Sequence, residues 1–243
     1  MSMRFFVVRL RGLLLGASLV LLIALSMFLG DRLTKAASSA LQPQFPLILL
    51  DAGHGGEDGG AVAPDGTNEK DLNLSLTRKL NTTLRSLGLR TLLTRESDAL
   101  HYKADVKTMR QKKVSDLQWR LELTQKHPDS ILISIHQNQF SDPRYDGAQV
   151  FYSGNHPQSA VLAQAIQEAV VKQTQPNNTR QIKQSGAEIF LLNNAQVPAV
   201  MVECGFLSNP AETERLKNDD YQTQLALAVT QGILRFLQST EEV

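Results

Sequence analysis

The stretch LILLDAGHGG, residues 47–56, joins a short apolar run to an acid, a histidine and a cluster of glycines. Four consecutive apolar residues that stop at Asp51 are typical of a strand buried on both faces of a sheet. The glycines at positions 53, 55 and 56 allow the backbone to turn tightly around His54 and to hold its imidazole toward open space. We therefore predict a buried strand whose carboxyl end carries a functional loop.

Further runs of this kind follow along the chain. Strands are predicted over residues 89–94, 130–136, 148–152 and 199–203, with residues 148–152 nearer an edge because their apolar side chains alternate. Apolar residues at helical spacing predict helices over residues 69–87, 105–127, 159–173 and 221–237. The packing side expected for the second helix is Val114, Leu117, Trp119 and Leu121. This alternation predicts a single-domain α/β sandwich with a mostly parallel, twisted sheet flanked by helices.

Polar residues stand where three of these strands end. His54, His136 and Glu203 all fall at carboxyl ends, where functional groups gather in open α/β sheets, and Glu69 begins a helix. Two histidines and one carboxylate can hold a zinc ion with a position left for water, and a second carboxylate can then move protons. Glu69 alone is better explained by the helix dipole, whereas Glu203 enters the sheet layer, where a carboxylate without a partner is costly. The pattern predicts metal-assisted hydrolysis.

The first thirty residues differ in composition from the rest. Three arginines, at positions 4, 9 and 11, precede an uncharged apolar run over residues 12–30, which is just long enough to span a bilayer. Arginines on that side predict a cytoplasmic N-terminus and export of everything downstream. Residues 1–30 are therefore predicted to be a transmembrane anchor or, if the chain is cleaved near residues 38–40, a signal segment.

Two prolines, Pro43 and Pro46, and a Ser, Ala and Gln content predict a linker over residues 31–46, followed by one folded domain over residues 47–243. The formal net charge of +1 and the 6% aromatic content offer neither the basic field nor the stacking platforms of nucleic-acid binding, so we expect no nucleic-acid partner. Cys204 is the only cysteine, which excludes an intramolecular disulfide. We expect it to be a packed thiol, with ligand or nucleophile as the alternative.

The ordered motifs together resemble the zinc-dependent N-acetylmuramoyl-L-alanine amidases of type 3. These are exported enzymes that cut the amide between N-acetylmuramic acid and the first L-alanine of the peptidoglycan stem. The resemblance covers residues 46–238, favours the sporulation and germination subgroup through residues 147–152, and departs from many relatives at Gln139, where a small residue is usual. The motifs are Asp-x-Gly-His-Gly-Gly at 51–56, Asn68-Glu69, Thr94-Arg95 to Asp98, Ser-Ile-His-x-Asn at 134–138 and Val-Glu-Cys-Gly-Phe-Leu-Ser-Asn at 202–209.

The resemblance implies a division of roles within the catalytic domain, residues 47–243. His54, Glu69 and His136 would bind Zn²⁺, and Glu203 would be the catalytic carboxylate. The implied substrate is peptidoglycan with its muramyl peptide stems, in spore cortex maturation or germination. The implied location is extracytoplasmic, by membrane anchoring or secretion through the N-terminal segment. Because the chain has no recognisable wall-binding domain, an activating or localising protein partner is also expected.

Arg95 and Asn138 are weaker candidates, for substrate binding. Arg95 either meets a stem-peptide carboxylate or is a structural salt-bridge residue, and Asn138 either orients a ligand or caps a loop. The basic run over residues 107–113 is expected to be a solvated helix face, with binding of anionic wall polymer or lipid as the alternative. Three further histidines are expected to be solvated: His101, His127 and His156.

Two other functions compete with the amidase hypothesis. A non-catalytic cell-wall-binding or regulatory protein on the same fold is disfavoured because none of the implied ligands is missing. A zinc peptidase or carboxypeptidase of the wall is disfavoured because the chain has no H-E-x-x-H motif.

Overall fold

The computed structural model describes residues 21–30, residue 32 and residues 45–241. The chain divides into two units, residues 1–44 and residues 45–243. Residues 21–30 are helical, and most of the predicted N-terminal segment and linker lies outside the described residues. Within the described part of the chain, no helix combines the length and the apolar character that crossing a membrane requires.

Residues 45–241 form six strands and six helices. The strands are β1 (Leu47–Ala52), β2 (Thr91–Leu93), β3 (Ser130–Asn138), β4 (Gln149–Tyr152), β5 (Lys183–Gln184) and β6 (Ala199–Phe206). The helices are α1 (Glu69–Ser86), α2 (Met109–Lys126), α3 (Gln158–Thr174), α4 (Phe190–Asn194), α5 (Pro210–Lys217) and α6 (Asp219–Glu241). The sheet has the order β2-β1-β3-β6-β4-β5, and among these pairs only β4 with β6 is antiparallel. The predicted single-domain α/β sandwich with a mostly parallel sheet is confirmed.

Different helices pack on the two faces of the sheet. Apolar residues of α1, α3, α5 and α6 pack on one face in the larger core, against side chains such as Ile48, Ile133 and Val202. Residues of α2 and α4 cover the other face in a smaller core that contains Leu132 and Met201. Because side chains alternate along a strand, the polar residues at positions 51, 134, 136 and 203 share the face of this smaller core. The chemistry of the predicted site is therefore on the α2–α4 face.

Helix α2 begins at Met109, four residues later than predicted. The hydroxyl of Thr108 accepts the Gln111 amide, and the side chain of Gln111 accepts the Thr108 amide, so the two residues form a capping box. This reciprocal pair fixes the helix start, which the apolar spacing alone did not locate.

The predicted apolar packing side of α2 is wrong at Val114, which is 47% exposed. Leu121 does pack on the smaller core. The physical reason is that this helix lies over the polar end of β1, where buried charges need buried partners. The residues of α2 that are buried are Ser115, Asp116, Arg120 and Thr124.

Candidate metal centre

Three predicted ligands, His54, Glu69 and His136, converge beyond the carboxyl ends of β1 and β3. Each offers one nitrogen or oxygen atom, and these atoms lie within 4.8 Å of one another. The carboxylate of Glu69 stands between the imidazoles, with Oε2 3.2 Å from Nε2 of His54 and Oε1 2.9 Å from Nδ1 of His136. Donor atoms on a tetrahedral zinc ion with bonds of about 2.1 Å are separated by about 3.4 Å. The spacing of the three side chains thus fits a zinc ion.

The backbone at His54 has a φ of 61°, the one positive value of a non-glycine residue among the described positions. Its Nδ1 lies 2.8 Å from Oδ2 of Asp58, and this carboxylate orients the ring and leaves Nε2 for a metal. Lys113 of α2 forms a 2.7 Å ion pair with the other oxygen of Asp58. Burial lowers the pKa of His54, but the hydrogen bonds to Asp58 and Glu69 outweigh it and raise the pKa to about 9.

Glu69 is the first residue of α1, and its carboxylate is almost fully buried. Besides the two imidazoles, it accepts hydrogen bonds from the amides of Ala61 at 2.8 Å and Gln137 at 3.1 Å and from Nδ2 of Asn73 at 3.2 Å. Burial opposes ionisation, but the hydrogen bonds to the imidazoles hold the pKa of Glu69 well below its usual range. The carboxylate is therefore ionised and fixed in one orientation.

Two glycines let the backbone approach these side chains closely. A Cβ atom at Gly53 would lie 2.2 Å from Nε2 of His136. At Gly60, where φ is 70°, a Cβ atom would lie 2.5 Å from Oε2 of Glu69 and 2.7 Å from Cδ2 of His54. Any other residue at these positions would displace an atom of the ligand set.

Glu203 of β6 is paired in register with His136 of β3. Its Oε2 is buried and has no hydrogen-bond partner among the described residues. Burial raises the pKa of Glu203 to about 7; the nearby imidazole of His136 opposes this shift, and the negative charge of Glu69 adds to it. An orphaned carboxyl with a pKa near neutrality is suited to accept and return a proton.

A buried ion-pair cluster supports the glycine-rich loop. Arg120 of α2 donates to Asp51 and, at 2.7 Å, to Asp116, and it also donates to the carbonyls of Ala52 and His54, both at 2.8 Å. Burial favours the neutral form of Asp51, but Arg120 and the hydroxyls of two neighbouring residues outweigh it and lower its pKa to about 2. Arg120, Asp116 and Asp58 are absent from the sequence predictions. Asp58 stands in the glycine-rich loop, and the other two are charged residues of a mostly polar helix, which gives little signal of burial.

Arg95 is buried. Its guanidinium donates to four carbonyl oxygens, at distances between 2.8 and 3.1 Å. These contacts match the structural alternative, although the partners are carbonyls rather than the carboxylate of a salt bridge. These carbonyls belong to Ala52, Gly53, Lys70 and Ser97. Binding of substrate by Arg95 stays a prediction.

Asn138 uses its side-chain oxygen to accept the amide of Gln139 at 2.8 Å. This contact matches the loop-capping alternative, and its binding of substrate stays a prediction. Cys204 is buried, and burial raises the pKa of its thiol, as expected for a packed cysteine.

Two residues or segments that were expected to be solvated are partly buried or paired: His101 and the basic run over residues 107–113. His101 is not simply solvated, because its ring stacks on Trp119 with centroids 3.8 Å apart and its Nδ1 is buried. Burial lowers the pKa of His101. The basic run is only partly a solvated face, since Lys112 pairs with Glu57 at 2.7 Å and Lys113 pairs with the loop acid beside His54. The remaining histidines, at positions 127 and 156, are partly exposed.

A cavity of about 280 Å³ opens beside His54 and His136 on the α2–α4 face. Its lining contains both polar or charged side chains and apolar ones. The polar or charged residues include Asp51, Asp58, Lys113, Arg120 and Ser134, and the apolar residues include Leu117, Ile189, Phe190, Leu191 and Met201. A small amphipathic group can therefore reach the histidines from this face.

Comparison with known proteins agrees with the geometry. Residues 48–235 match the Amidase_3 family, described as N-acetylmuramoyl-L-alanine amidase. The chain is 35% identical over 190 residues to the germination-specific N-acetylmuramoyl-L-alanine amidase of Bacillus subtilis (strain 168), a match that covers 78% of this chain and 79% of the relative.

Two solved structures are similar to this one. The CwlD amidase from Clostridioides difficile, solved in complex with the GerS lipoprotein, has a TM-score of 0.77 and 40% identity, with 80% of this chain and 99% of that chain covered. An N-acetylmuramoyl-L-alanine amidase from Clostridium difficile 630 has a TM-score of 0.70 and 28% identity, with 81% and 99% covered. Because the family match spans nearly the whole sheet and all the strands that deliver the site, the chain belongs to the Amidase_3 family of N-acetylmuramoyl-L-alanine amidases.

Proposed function

We propose that this amidase is a zinc enzyme in which His54, Glu69 and His136 hold the ion and Glu203 transfers the proton. The observation that carries the proposal is the set of three donor atoms within 4.8 Å, beside the unpartnered carboxyl oxygen of Glu203. Two imidazole nitrogens and one carboxylate oxygen form a donor set used by hydrolytic zinc sites. A zinc ion bound there would act as a Lewis acid toward the scissile carbonyl and would lower the pKa of the attacking water.

The side chains of this protein divide the remaining work. Asp58 accepts the Nδ1 proton of His54, so that loss of the Nε2 proton leaves the lone pair of that nitrogen directed at the site. Glu203 takes a proton from the attacking water and returns it to the alanine nitrogen as the C–N bond breaks. The products are a free lactyl carboxylate on the muramic acid and a stem peptide with a free L-alanine amine. The amphipathic cavity beside the histidines supports entry of the peptide from the α2–α4 face.

We also propose that the enzyme acts in the spore cortex and that it has a protein partner. The similarity to a germination-specific amidase supports the cortex role. The similarity to the CwlD amidase, which was solved with the GerS lipoprotein, supports the partner. The test is the timing of expression during sporulation and the muramic lactam content of the cortex in a strain that lacks the gene. Normal muramic lactam in such spores would contradict the cortex role.

Export to an extracytoplasmic location is proposed from the uncharged run over residues 12–30 behind its three arginines. Peptidoglycan lies outside the cytoplasmic membrane, so the substrate requires this location. Protease added to intact protoplasts should digest the catalytic domain, and full protection of the domain would contradict export. The mass of the mature chain distinguishes an anchor from a cleaved signal.

The reaction is tested with purified peptidoglycan and the full-length chain, with added Zn²⁺ and with a chelator. We expect release of intact stem peptides with a free L-alanine amine, loss of activity with chelator and recovery with Zn²⁺. Cleavage inside the stem would instead identify a peptidase. Unchanged sacculi in the presence of zinc-loaded protein would identify the non-catalytic wall-binding alternative, which no feature of the site favours.

A further inference from the structure

Two aromatic side chains stand exposed on the loop that follows β3. Phe140 is 49% exposed and Tyr145 is 43% exposed, and their ring centroids lie 4.5 Å apart. The ring of Tyr145 lies 6.1 Å from that of Phe206, and the guanidinium of Arg180 lies 4.6 Å from the centroid of Phe206 and 5.5 Å from that of Tyr145. These four residues are called the aromatic shelf below.

The aromatic shelf adjoins the candidate metal centre through the chain itself. Phe140 follows His136 by four residues, so their backbones are at most about 14 Å apart. Phe206 follows Glu203 by three residues and pairs with Asn138 across β3 and β6. Two residues of the shelf, Phe140 just after β3 and Phe206 at the end of β6, are therefore on the strands that deliver a ligand and the proposed catalytic carboxylate.

The loop that carries the shelf is fixed, although its rings are exposed. Four hydrogen bonds hold it against neighbouring segments. They join the Phe140 amide to Oγ of Ser208 (3.1 Å), Nδ2 of Asn209 to the Tyr145 carbonyl (3.3 Å), Nε of Arg180 to the Asp146 carbonyl (2.7 Å) and the Gly147 amide to Oε2 of Glu212 (3.1 Å). Exposed aromatic surface is unfavourable in water, and this loop holds the two rings in the exposed position. A ligand that covers the rings would therefore gain free energy by burying apolar surface.

We infer that the aromatic shelf binds a sugar of the glycan strand that flanks the muramic acid at the site, an inference that rests on the proposed function. One side of the scissile amide is always a glycan, so a saccharide must lie close to Glu203. The C–H face of a pyranose ring packs on the electron-rich face of an aromatic ring. Its hydroxyls need polar neighbours, and Gln139 and Arg144, which adjoin Phe140 and Tyr145 in sequence, are exposed, with Arg144 paired to Asp142.

The cavity beside the histidines shares no residue with the aromatic shelf. Its lining combines charged side chains with apolar ones that are aliphatic except for Phe190, a mixture that suits a peptide. The two halves of the substrate thus have separate surfaces, the stem peptide on the α2–α4 face and the glycan along the β3–β4 loop.

The test compares two soluble substrates with the same stem peptide, one on a single muramic acid and one within a glycan of several sugars. For the full-length, zinc-loaded chain, the Phe140→Ala, Tyr145→Ala double variant should raise KM for the long substrate about tenfold and change kcat less than about twofold. The KM for the single-sugar substrate should stay within about twofold of wild type. Tyr102→Ala, which removes an exposed aromatic elsewhere, is the matched control and should behave as wild type.

Single substitutions separate stacking from general apolar contact. Phe140→Tyr keeps a ring and should retain the low KM, whereas Phe140→Leu keeps apolar surface without a ring and should lose it. Because Phe140 is half exposed, both variants should keep the melting temperature of the wild type. Equal KM for the Leu and Tyr variants would overturn the inference.

Binding of peptide-free glycan oligosaccharides, followed by calorimetry, distinguishes failure of the inference from failure of the proposed function. If wild type cleaves neither substrate yet binds the glycan through the two rings, the proposed function is wrong, whereas glycan binding by the shelf is supported. If wild type cleaves both substrates and the double variant binds and cleaves the long one equally well, the inference is wrong. Loss of a protein partner without loss of glycan binding would also overturn it and would make the shelf a protein-docking surface.

Discussion

Arg95 and Arg120 donate hydrogen bonds to the same carbonyl oxygen, that of Ala52, at 2.9 and 2.8 Å. Arg95 also donates to the carbonyl of Gly53 and Arg120 to that of His54, so guanidinium groups hold three consecutive carbonyls of the turn. Burial, together with the charge of Arg120, lowers the pKa of Arg95. The left-handed turn at His54 is thus held by buried charged groups rather than by apolar packing.

Arg120→Met should reduce both stability and zinc affinity. The substitution leaves Asp51 and Asp116 without their shared cation, at a cost of about 3–5 kcal/mol in the free energy of unfolding. It also releases the carbonyl of His54, whose ring is a proposed ligand. Denaturant titration and competition with a chelator measure the two effects.

Arg110→Met is the matched control, because Arg110 lies on the exposed side of the same helix. It should change the free energy of unfolding by no more than about 0.5 kcal/mol. Unchanged zinc affinity in a destabilised Arg120→Met protein would show that Arg120 does not position His54.

Gly60→Ala and Gly66→Ala form a matched pair. Both glycines have positive φ, 70° and 89°, so alanine is strained by about 1–2 kcal/mol at either position. Only at Gly60 does the new Cβ meet the carboxylate of Glu69, whereas nothing lies within 4 Å at Gly66. We expect both variants to lose stability and Gly60→Ala alone to lose about tenfold or more in zinc affinity. Equal zinc affinities of the Gly60→Ala and Gly66→Ala variants would show that the close approach of the Gly60 backbone to Glu69 does not matter for zinc binding.

Glu203→Gln should bind zinc as wild type does and lose about 10²–10⁴ in kcat, because the amide cannot carry the proton. Zinc content by mass spectrometry and release of stem peptides measure the two properties. Glu168→Gln on the exposed side of α3 makes the same chemical change away from the site and should stay active. An active Glu203→Gln enzyme would remove Glu203 from its assigned role.

Asp51 should make the free energy of unfolding decrease at acidic pH. Its folded pKa of about 2 lies below the ordinary value of 3.8, so the ionised group stabilises the fold above pH 4. About 2 kcal/mol of this stability should be lost as the pH falls from 4 to 2. The free energy of unfolding of Asp51→Asn should fall less over that range than that of wild type. Parallel curves from urea titrations at each pH would disprove the contribution.

The strands and the main site residues were predictable because their signals are local. The apolar runs that end at Asp51, His136 and Glu203 are strands, and the carboxyl ends of neighbouring parallel strands meet at one edge of the sheet. The assignment of Glu69 as a ligand required the family resemblance, because an acidic residue at the start of a helix is also explained by the helix dipole.

Other features depend on contacts distant in sequence. The polar packing side of α2 follows from burial of Asp51 beneath it, and Lys113 meets Asp58 only after the glycine loop has folded. The antiparallel direction of β4 likewise has no local signal. Helix α5 did have one, because Asn209 caps it and Pro210 occupies its first turn, the usual start of a helix.

The alternation of side chains along β3 limits how related sequences can change in length. Inserting or deleting one residue between Ile131 and His136 would move His136 from the α2–α4 face to the core beneath α1, α3 and α6. Substitutions within this strand can therefore accumulate, whereas single insertions and deletions should be confined to connections outside the strands. In this family, the spacing between the strand start and the histidine should be more constant than the residues that fill it.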